Sequence, residues 1–175
     1  MQIEKFTLKA QEALQEAKNT AERLNHQQID TEHLLLALLG QKEGVVLPLL
    51  QKLGATPDTI ASQLQAELGR IPQVSGRGAG QVYLSRRVND LFEAAWKEAE
   101  RLADEYISTE HLLLAIADEK QGSSSEVLRR HGVAKDAIYR VLQEIRGPHR
   151  VTDQNPEEKY QAVKRYSRDL TEEAR

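Results

Sequence analysis

Ile29-Asp30-Thr31-Glu32-His33-Leu34-Leu35-Leu36-Ala37-Leu38 returns further along the chain as Ile107-Ser108-Thr109-Glu110-His111-Leu112-Leu113-Leu114-Ala115-Ile116. The offset is 78 residues, and the copies differ only at Asp30/Ser108 and Leu38/Ile116. The same offset aligns Phe6 with Leu84, Thr7 with Ser85, Ala17 with Ala95, Ala21 with Ala99 and Leu24 with Leu102. Downstream it aligns Leu50 with Leu128, Gly54 with Gly132, Ile60 with Ile138 and Leu64 with Leu142, without a gap. Small residues and helix-start residues agree as well as leucines do. The pattern is therefore a duplicated unit, and a repeat of this length dictates the architecture.

Each unit reads as four helices. Thr7 is an N-cap candidate, followed by Ala10, Leu14, Ala17, Ala21 and Leu24 on one helical stripe. Thr31 is expected to cap a second helix running to about Gly40, with Glu32 in its first turn. A third runs from Gly44 to Leu53, and a fourth starts at Thr56-Pro57-Asp58. Ser85 caps a fifth, with a stripe of Val88, Phe92, Ala95, Ala99, Leu102 and Tyr106. Thr109 begins a sixth. Gly122 and Ser123 to Ser125 read as a turn before a short seventh. Lys135 to Arg146 make an eighth, stopped by Gly147-Pro148. No segment alternates like a strand. The expected fold is all-α: two four-helix repeats about a pseudo-twofold axis, plus a C-terminal connector. Residues 1–148 form one repeat domain, comprising repeat one (1–68), a Gly-rich linker (69–82) and repeat two (83–148). Residues 149–175 have no repeat partner and read as a connector, with a helix from Pro156 to about Arg165.

The chain has 175 residues, a formal charge of −3 and no cysteine. No basic run marks a nucleic-acid partner, and no thiolate or disulfide chemistry is available. No secretory signal or membrane-length apolar run is seen, so a cytoplasmic location and no membrane partner are expected. Catalytic signatures are lacking too. Gly76, Gly78 and Gly80 have no following Lys-Ser/Thr, so they are not a P-loop. Glu32-His33 and Glu110-His111 lack the second histidine of a zincin helix. No Gly-x-Ser-x-Gly elbow occurs. The expectation is a chain that is not an enzyme and holds no metal or cofactor.

The doubled Thr-Glu-His-Leu-Leu-Leu-Ala motif resembles the Clp N-terminal repeat domain, which precedes the ATPase rings of Clp-family unfoldases. The likeness covers residues 1 to about 148. The tail, Asn155-Pro156-Glu157-Glu158-Lys159-Tyr160-Gln161-Ala162 and Tyr166-Ser167-Arg168-Asp169-Leu170-Thr171, is similar to the connector of the ClpB type, the disaggregases. The resemblance implies a client-binding module for unfolded or aggregated proteins. Its parent would be a homohexamer working with the DnaK system. ATP and Mg would belong to AAA+ modules beyond this chain, and the isolated domain would be monomeric.

By the same resemblance Thr7, Asp104 and Glu110 match positions that handle clients. The alternative is an adaptor-docking domain of the ClpC or ClpA type, in which Glu32 and Glu110 would bind phosphorylated arginine or an adaptor. Read from the residues alone, Thr7 is equally a plain cap worth ~1 kcal/mol. Asp104 is equally a solvated residue near a helix end. Glu32 and Glu110 are either first-turn acids helping helix dipoles or paired carboxylates at the rim of a groove between the halves. His33 and His111 read as packed or surface histidines.

Overall fold

The structure, a computed structural model, describes residues 2–74 and 81–157. After a 3-10 turn at Ile3–Lys5, the first half contains α1 (Leu8–Arg23), β1 (Gln28–Ile29), α2 (Thr31–Leu39), α3 (Val46–Lys52) and α4 (Pro57–Leu68). The second contains β2 (Tyr83–Leu84), α5 (Arg86–Arg101), α6 (Thr109–Ala117), α7 (Ser123–Arg130) and α8 (Lys135–Arg146). At the 78-residue offset, α1, α2 and α4 match α5, α6 and α8 end for end. Even the backbone exits agree, with φ of +57° at both Asn25 and Ala103, and +77° and +75° at Gly54 and Gly132.

Two short ladders clasp the halves. Ile29 pairs in parallel with Leu84, and Phe6 bridges in parallel to Ile107. The offset exchanges these two pairs, which is the signature of a pseudo-twofold axis between them. The Thr7 N–H donates to the Ile107 carbonyl at 2.9 Å, as the Ser85 N–H does to Ile29 at 3.0 Å. A fold read as strand-free therefore contains, among the described residues, one two-residue parallel pair. So short a segment carries no alternation to detect, and its partner is in the other repeat.

The core is continuous through both halves. Ala10, Ala13, Ala17 and Ala21 form a fully buried stripe on α1, letting α2 approach closely. Leu34, Leu35 and Leu38 of α2 and Leu112, Leu113 and Leu114 of α6 have no exposed surface. Phe6 and Phe92 meet edge-on at 5.1 Å across the interface.

Three boundaries differ from expectation. Asp30, not Thr31, caps α2: its extended backbone leaves the carboxylate to accept the Thr31 N–H at 2.8 Å. Ser123 to Ser125 lie inside α7, because Gly122 at φ +123° turns the chain before them. Helix α5 ends at Arg101, where Ala103 goes left-handed, so Tyr106 lies beyond it. The linker glycines Gly76, Gly78 and Gly80, and the connector after Glu157, lie outside the described residues.

Candidate functional site

The motif histidines do structural work. His33 Nδ1 accepts the Asp30 N–H at 2.9 Å, closing a capping box in which histidine takes the usual glutamate's part. Its Nε2 therefore carries the ring proton and meets His26 Nδ1 at 2.8 Å. Burial, then neighbouring His26, pulls the His33 pKa down to about 4. His111 repeats the geometry: Nδ1 accepts the Ser108 N–H at 2.8 Å, and Nε2 lies 2.7 Å from Asp104 Oδ2. Both rings are buried, the packed alternative of the sequence reading.

Asp104 is thus the counterpart of His26, and it is no solvated residue. Its carboxylate also accepts two bonds from Arg146, at 2.9 and 2.6 Å, and the Val151 N–H at 2.9 Å. Burial opposes its ionisation, but the His111 and Arg146 bonds win and hold its pKa at about 2. Arg146 Nη1 lies 3.7 Å from Glu110 Oε2. Thr7 caps α1, accepting the Ala10 N–H at 3.2 Å, and donates its hydroxyl to Glu157 Oε1 at 2.9 Å. Thr7, Asp104 and Glu110 therefore share one buried cluster at the start of α6, joined through Arg146 and Glu157.

Glu32 sits in the matching place in the first half. The Ser123 hydroxyl donates to its carboxylate at 2.5 Å, and Arg87 Nη1 lies 3.5 Å away. Arg87 also contacts Asp30 at 3.2 Å and donates to Thr31 Oγ1 at 2.9 Å. Serine and arginine outweigh burial, so the Glu32 pKa is lowered. Glu32 and Glu110 do not converge on a shared open rim, as the groove reading expected. They are 4% and 0% exposed: Glu32 is closed in by Ser123 and Arg87 of the second half, and Glu110 by Arg146 of its own.

The sequence reading expected a groove between the halves but not its apolar lining or its volume of about 320 Å³. Phe6, Leu14, Leu84 and Phe92 line it, together with Ile3 and Val82. Phe6/Leu84 and Leu14/Phe92 are symmetry pairs, so the groove straddles the pseudo-axis. The exposed apolar side chains Ile3, Leu84 and Tyr83 are 54%, 42% and 56% accessible. The available signal was the apolar character of both position 6 and position 84, each just ahead of a helix cap.

The chain matches the Clp repeat (R) N-terminal domain over residues 5–131. It is 43% identical to the chaperone protein ClpB of Nitratidesulfovibrio vulgaris and 39% identical to that of Bacillus cereus. Both alignments cover 100% of this chain but only 21% and 20% of the relatives, so it spans about a fifth of their length. Among solved structures, the N-terminal domain of Hsp104 from Candida albicans superposes with a TM-score of 0.75 at 20% identity, covering 88% of this chain and 99% of that one. The N-terminal domain of ClpD from Arabidopsis thaliana gives 0.57 at 23% identity, covering 81% and 99%. The duplicated helices, the clasp between them and these likenesses lead to one assignment: the chain belongs to the Clp repeat N-terminal domain family and is similar to that domain of ClpB chaperones.

Proposed function

We propose that the chain is a client-binding module of a protein disaggregase. It engages unfolded or aggregated polypeptides and helps deliver them to an ATP-driven AAA+ ring beyond this chain. The observation that carries the reading is the groove across the pseudo-axis, where the large apolar side chains of Ile3 and Leu84 stay exposed. Unfolded chains offer apolar side chains that folded proteins hide, and a groove of this size accepts them one or two at a time.

Thr7, Asp104 and Glu110 act one layer behind that groove. Thr7 follows Phe6 directly, and its N–H bonds Ile107, the residue that Phe6 bridges. The cluster therefore sets the position of a groove wall. In the parent, a homohexamer cooperating with the DnaK system, six copies would supply avidity to an intrinsically weak contact. ATP and Mg would bind only the AAA+ modules. An adaptor-docking module would instead take a folded partner at fixed stoichiometry.

The test is an amide-shift titration with reduced, carboxymethylated lactalbumin as a permanently unfolded probe. Shifts are expected at Leu14, Leu84 and Phe92, and Leu84→Asp is expected to weaken binding about ten-fold, ~1.4 kcal/mol. Binding that leaves these amides unmoved would overturn the reading.

A further inference from the structure

The two halves solve one capping problem differently. In the first, Asp30 Oδ1 accepts the Thr31 N–H at 2.8 Å and the Ser85 hydroxyl at 3.2 Å. In the second, the matching residue is Ser108, which brings no carboxylate. The symmetry-related donors are the Thr109 N–H and the Thr7 hydroxyl. Both point at Glu157 Oε1, at 3.4 and 2.9 Å. The acid missing from the motif arrives from the segment that follows α8.

The replacement is imperfect. Glu157 Oε2, Thr109 Oγ1 and both Glu110 carboxylate oxygens are buried without a hydrogen bond. The counterparts are satisfied: Thr31 Oγ1 meets Ser124 and Arg87, and Glu32 accepts from Ser123. Burial, then the Glu110 carboxylate, pushes the Glu157 pKa up to about 7. Backbone and side-chain bonds tether the segment to the domain, among them two from the Gln154 side-chain amide to the Glu4 and Phe6 carbonyls, both at 3.4 Å. The Leu8 N–H donates to the Gln154 carbonyl and the Glu105 N–H to Val151, both at 2.8 Å. The Val151 N–H donates to Asp104. Buried donors and acceptors left unpaired weaken a docked state relative to a released one, in which water satisfies them.

We propose that residues 151–157 form a plug held in cis: Glu157 stands in for the acid that Ser108 lacks, and its withdrawal opens Thr7, Thr109 and Glu110 beside the groove. The plug regulates the client site and so rests on the client-binding reading. When it is seated, the Thr7 hydroxyl and the α6 N-terminus are taken. When it leaves, a partner meets a hydroxyl, an amide and the Glu110 carboxylate together.

Hydrogen exchange and probe binding test the plug in three chains: wild type, Glu157→Ala, and Glu157→Ala with Ser108→Asp. The double variant puts the acid where the first repeat has it. In both variants the Leu8 and Glu105 amides should exchange at least ten-fold faster, while Leu112 in the core is unchanged. The double variant should recover the wild-type thermal midpoint, which separates release from loss of fold. Carboxymethylated lactalbumin should bind Glu157→Ala several-fold tighter than wild type, while the double variant, whose new carboxylate again takes the Thr7 hydroxyl and the Thr109 N–H, should return toward wild-type affinity. Unchanged protection at Leu8 and Glu105 overturns the plug, as does equal probe affinity in all three. Faster exchange with no probe binding by any chain upholds the plug and sinks the client reading instead.

Discussion

Asp104 and Arg146 face one another through two hydrogen bonds, at 2.9 and 2.6 Å, where the first repeat holds His26 and Leu68. Duplication kept the backbone and exchanged a neutral pair for an ionic one. Both residues are buried, so either charge alone is expensive. Asp104→His or Arg146→Leu alone should each cost about 3–5 kcal/mol. The double variant, which recreates the first-repeat pair, should lose far less than the sum. A double-mutant cycle by urea unfolding reads the coupling directly. Additive losses would show that the pair is not a unit.

The depressed pKa of Asp104 sets an acid limit. Its folded value of about 2 lies below the ordinary 3.8, so the carboxylate stabilises the fold above about pH 4. That contribution is lost as pH falls from there through 2. Asp104→Asn should flatten the stability profile between pH 4 and 2, as measured by thermal unfolding at low salt.

His33 acts in a higher window. Its folded pKa of about 4 lies below the ordinary 6.5, so the unfolded chain takes up the proton first. Stability should be full above pH 6.5, fall as pH drops toward 4, and then level off. The full loss is on the order of 3 kcal/mol at about 1.4 kcal/mol per pH unit. His26→Asp, which copies the second repeat, should flatten that slope by giving the His33 proton a carboxylate.

Ala103 offers a gain. It sits exposed at φ +57°, where its counterpart is Asn25. A left-handed alanine costs roughly 1 kcal/mol, which asparagine and glycine largely escape. Ala103→Asn should raise the melting temperature by several degrees without altering probe binding. No change would mean the backbone relaxes at that turn.

Gly122 marks the opposite case. At φ +123° a Cβ would stand 2.1 Å from Arg87 Nη2. Gly122→Ala should displace Arg87 from Asp30, Thr31 and Glu32 and cost about 1–3 kcal/mol. Arg87→Ala in the same background should add little, since its contacts are already gone.

Local pattern made the helices readable. The Ala10, Ala17 and Ala21 stripe, the caps at Thr7 and Ser85, and the stops at Gly54 and Gly147 are all short-range signals, and the duplication checks most of them twice. The cap at Asp30 was misread by one residue because Asp30 and Thr31 are both good caps, and only the carboxylate's reach to the Thr31 N–H decides between them. The candidate site was legible only as names. Nothing in sequence spacing reveals that Arg146 ties Asp104 to Glu110, or that Glu157 returns across 150 residues to Thr7. Those contacts depend on tertiary packing. So does the groove, whose walls come from both repeats.

The account turns on unfolded chains lying in the groove across the pseudo-axis. The direct measurement is site-specific photo-crosslinking to carboxymethylated lactalbumin, with benzoylphenylalanine placed at Ile3, an exposed residue that lines the groove, or at exposed Arg140 on α8. Crosslinks from position 3 and none from position 140 are the predicted result. Crosslinks from position 140 alone would contradict it.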